Sequence, residues 1–187
     1  VIYDTAQGMD TLVSELSMLS KLSLDKVPFY FEKIKAKDFF EEYTAYVADT
    51  LGKADIEFIY NFECDEDREI NIDPAQFRRV LNNLIDNSRK YGAEDGTAKI
   101  MLSVRNGENG HIEISIEDNG QGVPADERDK IFETFYRGDK ARTGHKNGSG
   151  LGLAITKQIT DRHGASIRAD ESELGGLKVI IDLPQAK

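Results

Sequence analysis

The chain has 187 residues and carries 24 Lys and Arg against 34 Asp and Glu, a formal net charge of −10. A generic nucleic-acid binder needs the opposite surplus to displace counterions from phosphate, so that class is excluded unless a local patch supplies the charge. A single cysteine, Cys64, forms no internal disulfide, and no apolar run nears the ~20 residues that cross a bilayer, which fits a reducing, soluble compartment and one domain with an appendage.

A chain beginning Val1-Ile2-Tyr3 reads as a piece of something longer. Ile2, Met9 and Leu16 recur every seven residues, as do Leu12 and Leu19, which predicts an amphipathic helix over residues 1–25 with a coiled-coil seam and Thr5 as its weak position. A seam this short also fits a helix packed on its own domain. Pro28 closes the segment. Phe39, Phe40, Tyr43, Tyr46, Val47 and Leu51 predict a second helix over 37–51, stopped by Gly52. Ile56, Phe58 and Tyr60 share one parity, so a half-buried strand follows, then an acidic turn and a short strand at 70–72. Asp73-Pro74-Ala75-Gln76 places an N-cap acceptor, a proline at the first helical position and a Gln where a capping box wants it, and predicts a helix to Tyr91 that Gly92 ends.

Strands at 98–104 and 112–117 flank Asn106-Gly107-Glu108-Asn109-Gly110 and read as a hairpin. A glycine turn at 118–124, a short helical stretch at 126–135 and a polar loop at 136–148 come next. A helix over 151–162 then opens out of glycines, and strands at 167–169 and 177–183 are separated by Gly175-Gly176. The sum is an α/β (α+β) two-layer sandwich, a mixed β-sheet packed on one face by about three helices and preceded by one amphipathic helix.

Three places carry chemistry. On the helix from Pro74, the stripe Phe77, Val80, Leu81, Leu84, Ile85 and Ser88 faces the sheet. Asn83, Asn87 and Tyr91 lie beside it at spacings of four, with Lys90 adjacent. Asn is a poor helix-interior residue, and its carboxamide oxygen can ligate a hard cation such as Mg²⁺ that substrate phosphates complete. Two solvent-facing asparagines would fit this helix equally well. Asp118-Asn119-Gly120-Gln121-Gly122-Val123-Pro124 fixes a carboxylate at a strand end, where it can accept from an exocyclic amine, and its glycines let a ring approach the backbone. Gly148-Ser149-Gly150-Leu151-Gly152 leads into a helix start, where open N–H groups and the helix dipole favour phosphate. No glycine loop ends in Gly-Lys-Ser/Thr, so this is no P-loop, and the dinucleotide spacing is also missing.

In order along the chain, Asn83-Leu84-Ile85-Asp86-Asn87-Ser88-Arg89-Lys90-Tyr91, Asp118-Asn119-Gly120-Gln121-Gly122, Ile131-Phe132-Glu133-Thr134-Phe135-Tyr136-Arg137 and Gly148-Ser149-Gly150-Leu151-Gly152-Leu153 resemble the N, G1, F and G2 boxes of sensor histidine kinases. The resemblance covers residues 30–187 as an ATP-binding catalytic domain, with residues 1–25 similar to the second helix of the dimerisation and phosphoacceptor hairpin. It implies that Asn87 holds Mg²⁺, that Lys90 and Arg137 meet phosphates, that Tyr91 packs on the adenine, and that Asn83 belongs to the nucleotide-binding residues. It implies further that Asp118 and Gly120 read the adenine, that Gly122 and Val123 line its pocket, and that Gly148, Ser149, Gly150, Leu151 and Gly152 close over the triphosphate. ATP and Mg²⁺ are the implied cofactors. A homodimeric parent and a response regulator are the implied partners. The implied placement is cytoplasmic, with any tie to the inner membrane made through upstream segments.

The family's phosphoacceptor motif is a His followed by an acidic residue, and none of the three histidines matches it. His111 heads a strand and His163 ends a helix, where a cation is favoured, and both read as structural or solvated, while His145 lies in the polar loop. Relatives of the same fold that hydrolyse ATP, the gyrase-type clamps and related chaperones, place a Glu one turn before the metal-binding Asn. Asn83 stands there in this chain, and an amide is no general base. An ATP-hydrolysing clamp and a non-catalytic ATP-binding scaffold are the alternatives. Between 137 and 146 the chain carries Arg137, Lys140, Arg142 and Lys146 against Asp139 alone, a basic patch where a polyanion would sit.

Overall fold

A computed structural model of the chain describes residues 2–93, 97–137 and 149–186, with side chains from Met9 onward. Helix α1 (Ile2–Ser23) is followed by strand β1 (Glu32–Lys35), helix α2 (Ala36–Gly52), strands β2 (Glu57–Glu63) and β3 (Glu69–Ile72), and helix α3 (Pro74–Tyr91). Strands β4 (Lys99–Asn106) and β5 (Ile112–Asp118), helix α4 (Gly152–Arg162), and strands β6 (Ser166–Glu171) and β7 (Leu177–Leu183) complete the order.

Five strands form one sheet in the order β2-β4-β5-β7-β6, with β2 and β4 parallel and the other neighbours antiparallel. Ile100, Leu102 and Val104 of β4, Ile112, Ile114 and Ile116 of β5, and Val179 and Ile181 of β7 are buried and share the parity that meets the helices. Against them α3 lays Phe77, Val80, Leu81, Leu84 and Ile85, and each such side chain taken out of water stabilises the fold by about 1.5–3 kcal/mol. The opposite face of the sheet carries ion pairs between register partners, Glu57 with Lys99, Arg105 with Glu113 and Glu117 with Lys178. Opposite charges on register partners stabilise this face, and the Glu117–Lys178 pair is largely buried there.

Several local expectations change. Strand β1 carries no alternation signal, since Glu32-Lys33-Ile34-Lys35 has one apolar residue, yet it pairs with β3 in a separate two-stranded sheet with Ile34 opposite Ile70. Lys35 and Lys37 then bond Asp67 and Glu66 in the acidic turn. Tyr46, expected on the apolar stripe of α2, is 71% exposed, and Thr44 is buried instead, its hydroxyl donating to the Phe40 carbonyl. Helix α1 ends at Ser23, five residues before Pro28, with Asp25 in the left-handed region. The stretch 126–135 is not an α-helix. It is a run of turns and one 3-10 turn, Lys130–Phe132, because Gly150 takes the Phe135 N–H at 3.0 Å and Glu133 bonds only three residues back.

The N-cap of α3 is Asp73, as expected, with its carboxylate accepting the Gln76 N–H at 2.9 Å. The reciprocal half of a capping box is absent. The Asp73 N–H donates to Nε2 of His163 at 3.1 Å, and Tyr30 donates to the second carboxylate oxygen at 2.8 Å.

Candidate functional site

Asp118 closes β5 with the parity of Ile112, Ile114 and Ile116, so its carboxylate points into the helix layer rather than to the solvated face. It is 2% exposed. Its Oδ1 accepts from the Gly120 N–H at 3.0 Å and the Leu177 N–H at 3.1 Å, and the Ser88 hydroxyl of α3 also bonds the carboxylate. Burial pushes the Asp118 carboxyl above its ordinary value, and the two amides and the Ser88 hydroxyl pull it back. The backbone on either side is equally constrained. Gly176 donates its N–H to the Asp118 carbonyl at 3.1 Å, and a Cβ on Gly176 would overlap Asp118 Oδ1.

The glycine turn after Asp118 docks on the end of α3. A Cβ at Gly120 would overlap the Tyr91 carbonyl, and the Gln121 N–H reaches that same oxygen at 3.4 Å. Asn119 is structural: its oxygen accepts the Lys99 N–H and its amide donates to the Thr97 carbonyl, both at 2.8 Å. Gly122 has φ +64, and Val123 packs half-buried against the core.

The other end of the site is the start of α4. Asn83 donates through Nδ2 to the Gly152 carbonyl at 3.2 Å and to the Thr156 hydroxyl at 3.3 Å, which ties α3 to α4. Asn87 lies one helical turn beyond Asn83 and one turn before Tyr91, and is thereby set between the two glycine turns, half-buried. Lys90 stands with its Nζ 5.5 Å from the Tyr91 ring centre. The Leu151 N–H donates to the Ser149 hydroxyl at 3.1 Å, and the Leu151 side chain is wholly buried, so the backbone of this turn is what remains for a ligand. Gly150 has φ +71, and a Cβ there would stand 3.0 Å from Phe135 C and Tyr136 O. Leu151 makes no side-chain cap bond, and a Cβ at Gly152 would meet nothing within 4 Å. The helix start therefore offers N–H groups to an anion.

Of the sequence-predicted residues, Asn83 meets Gly152 at the α4 start, Tyr91 meets the turn that holds Gly120, and Asn87 and Lys90 lie between Asn83 and Tyr91 on α3. Arg137 follows the Phe135 turn and is half-buried. Gly148, His145 and the basic residues Lys140, Arg142 and Lys146 lie outside the described residues. Sequence reasoning missed the role of Ser88, read only as part of the sheet-facing stripe; a hydroxyl at a buried stripe position was the available signal. Of the two readings, structural or solvated, the structural one holds for His163. It is buried against Phe29, Phe31 and Phe77, its Nδ1 bonds the Ile159 carbonyl at 2.7 Å, and burial lowers its pKa from the ordinary value.

A metal at this site has few protein ligands to draw on. Among the described residues no three His, Cys, Asp or Glu side chains gather to hold a cation. The Asn87 carboxamide beside an open helix start fits a hard ion completed by phosphate oxygens and water.

The profile of the histidine kinase-, DNA gyrase B-, and HSP90-like ATPases matches residues 72–187, more than half of the chain and all of this site. The chain belongs to that ATPase family. Membership makes this an ATP-binding domain. The chain is similar to the sensor histidine kinase WalK of Bacillus subtilis strain 168, at 36% identity over 98% of this chain and 30% of that protein, so it spans under a third of the relative's length. Among solved structures, the mycobacterial sensor histidine kinase MprB has 28% identity and a TM-score of 0.67 over 83% of this chain and 98% of that one. The catalytic domain of the histidine kinase ThkA, at 24% identity, superposes with a TM-score of 0.70 over 85% of this chain and 100% of that one, a likeness of fold. The five-stranded mixed sheet under its helices is the fold these kinase domains share with the ATPase family.

Proposed function

We propose that the chain is the ATP-binding catalytic module of a sensor histidine kinase, presenting the γ-phosphoryl of ATP to a histidine on a dimerisation hairpin whose second helix is α1. The observation that carries this reading is Asn83. Its amide is engaged with Gly152 and Thr156, at the place where hydrolysing relatives hold a water-activating Glu, and a carboxamide takes no proton from water. Transfer to a protein acceptor is thereby favoured over hydrolysis. The similarity to a sensor histidine kinase over 98% of the chain, α1 included, supports the same reading.

In this reading Asp118 accepts from the adenine amine, held in place by Gly120, Leu177 and Ser88. Tyr91 packs on the ring, Lys90 and Arg137 meet the phosphates, and the N–H groups at the α4 start receive the anionic oxygens. Asn87 would hold Mg²⁺ together with phosphate oxygens, and the ion would supply positive charge to the triphosphate. The attacking imidazole nitrogen forms the new bond to phosphorus as the bond to the ADP oxygen breaks, and alignment carries most of the rate. The parent pairs two copies through the hairpin and passes the phosphoryl to a response regulator. Met9, Leu12, Val13 and Leu16 of α1 are 41–66% exposed, as an unpartnered hairpin face would be. Among the described residues no helix is long and apolar enough to cross a membrane.

Titration of Asn87→Ala and the parent with Mg·ATP tests the metal and nucleotide assignment. A loss of about tenfold or more in affinity is expected once a charge-assisted contact goes. Equal affinity in both proteins would remove Asn87 from the site.

A further inference from the structure

We infer that Arg128, outside the nucleotide contacts implied above, is a positioning residue for the adenine pocket. It fixes the Val123 side of that pocket to the strand whose following turn fixes Asp118. The inference rests on the ATP-binding reading of the site.

The turn 119–124 has two unequal halves. Its first half is tied at four points: Asn119 to the backbone of Thr97 and of Lys99, Gly120 to Asp118, and Gln121 to Tyr91. Gly122, at φ +64, separates this half from Val123. A glycine in that region leaves the following residues free to swing unless something holds them. The side-chain tie on the far side is Arg128, whose Nε donates to the Val123 carbonyl at 3.1 Å, beside the Glu127 N–H that holds the Pro124 carbonyl at 2.9 Å and the packing of Val123 on the core. The remaining nitrogens of the same guanidinium reach Asp170 Oδ1 at 3.0 Å and Glu171 Oε2 at 3.5 Å, at the end of β6. The Arg128 side chain is 20% exposed, whereas the Asp170 and Glu171 carboxylates it meets are open to water.

The end of β6 is not an arbitrary anchor. It leads into the turn 172–176, whose Ser172 hydroxyl donates to Glu117 Oε2 at 3.1 Å and whose Gly176 N–H holds the Asp118 carbonyl. The Leu177 N–H, next along, holds the Asp118 carboxylate. Both walls of the adenine site are therefore referenced to one β6–β7 hairpin, Asp118 directly and Val123 through Arg128. Only a guanidinium can donate to a carbonyl and two carboxylates from one rigid plane, and Lys, a point charge, cannot reproduce it. Without the tie, the Val123 segment would have to be ordered when the nucleotide binds, and affinity falls by that ordering cost.

The test compares Mg·ATP with inorganic tripolyphosphate, which lacks the adenine, on the parent chain, Arg128→Gln, Arg128→Lys and the double variant Asp170→Asn/Glu171→Gln, by calorimetric titration. Arg128→Gln is expected to weaken ATP about tenfold while tripolyphosphate changes by less than about twofold, because ordering is lost on the base side alone. Arg128→Lys should stay close to Arg128→Gln. The double variant should weaken ATP in the same sense and add nothing when combined with Arg128→Gln, the signature of one coupled unit. ATP affinity unchanged in Arg128→Gln and in the double variant would overturn the inference, and so would an equal loss for ATP and tripolyphosphate, which marks general distortion. If Arg128→Gln does not fold, the double variant decides by the same comparison. A parent chain that binds no ATP would overturn the nucleotide reading itself.

Discussion

At the scale of single residues, Asp118 shows how the site trades stability for recognition. Burial disfavours its ionised form, and the amides of Leu177 and Gly120 with the Ser88 hydroxyl offset part of that penalty. Because the folded pKa is raised, its contribution to stability is present below the unfolded value of 3.8 and is lost as pH rises through the folded value. Asp118→Asn, which keeps an oxygen for the two amides, should therefore unfold no more easily than the parent at neutral pH. Its relative advantage should grow from acid to neutral pH, while ATP affinity falls by about tenfold or more because the acceptor for the amine has changed. Thermal melts against pH beside nucleotide titration check both halves; a variant that binds ATP like the parent contradicts the assignment.

Two glycines separate packing from function. Gly120→Ala drives a Cβ into the Tyr91 carbonyl and should cost about 2–3 kcal/mol of stability. Gly152→Ala meets open space at a helix start and should hold or raise stability by about 0.5 kcal/mol. Chemical denaturation of the two variants reads the difference directly, and comparable losses would mean that the α4 start is closed. These residue roles were unevenly legible in the sequence. Asp118 and the glycines stood in a recognisable order, whereas Ser88, Arg128 and His163 act through partners such as Asp118, Asp170 and Asp73 that lie far off in the chain, which no periodicity reports.

At the scale of elements, the helices α2, α3 and α4 and the β4–β5 hairpin were legible because amphipathic spacing, caps and turn residues are local signals. Strand β1 was not, since its existence depends on β3 and on the acidic turn that Lys35 and Lys37 bond. The junction of α1 with the domain was equally hidden. Leu19 and Leu22 of α1 are buried in the core, Gln158 of α4 bonds the Ser23 hydroxyl, and Arg162 donates to the Leu22 and Val27 carbonyls, ion-pairs with Asp25 and lies over the Phe29 ring. Helix α1 is thus both a packed helix at its end and an exposed seam before it.

His163 locks this junction to the N-terminus of α3. Its neutral ring accepts the Asp73 N–H, and Nδ1 carries the proton toward Ile159, the only tautomer that serves both bonds. Its folded pKa is lowered from 6.5, first by burial, so its contribution to stability is present above 6.5 and lost as pH falls through the folded value. The parent chain should lose stability on acidification below pH 6.5 by a step that His163→Gln lacks. Unfolding followed at several pH values between 7 and 5 reads this. An identical pH slope in the two proteins would show that His163 titrates as a solvated residue.

At the scale of the whole molecule, the mixed sheet and its single helical layer were expected, but the strand order β2-β4-β5-β7-β6 and the parallel pairing of β2 with β4 were not readable. Alternation says which face of a strand is buried and leaves its neighbour open. The net charge of −10 is carried in part by the solvated sheet face and the acidic turn, where Glu57, Glu66, Asp67 and Glu113 meet lysines and arginines. In the proposed reading the nucleotide end would draw instead on backbone N–H groups, Lys90 and Arg137, which makes an acidic chain compatible with a polyanionic substrate.

The claim that the ATP held by this site supplies a phosphoryl group to a histidine is tested most directly by incubating the chain with γ-labelled Mg·ATP and a separately made phosphoacceptor hairpin. Acid-labile label should appear on the hairpin, should be absent from this chain when it is incubated alone, and should fall with Asn87→Ala. Label released only as inorganic phosphate, with none on the hairpin, would contradict the account and make the chain a hydrolysing module of the same fold.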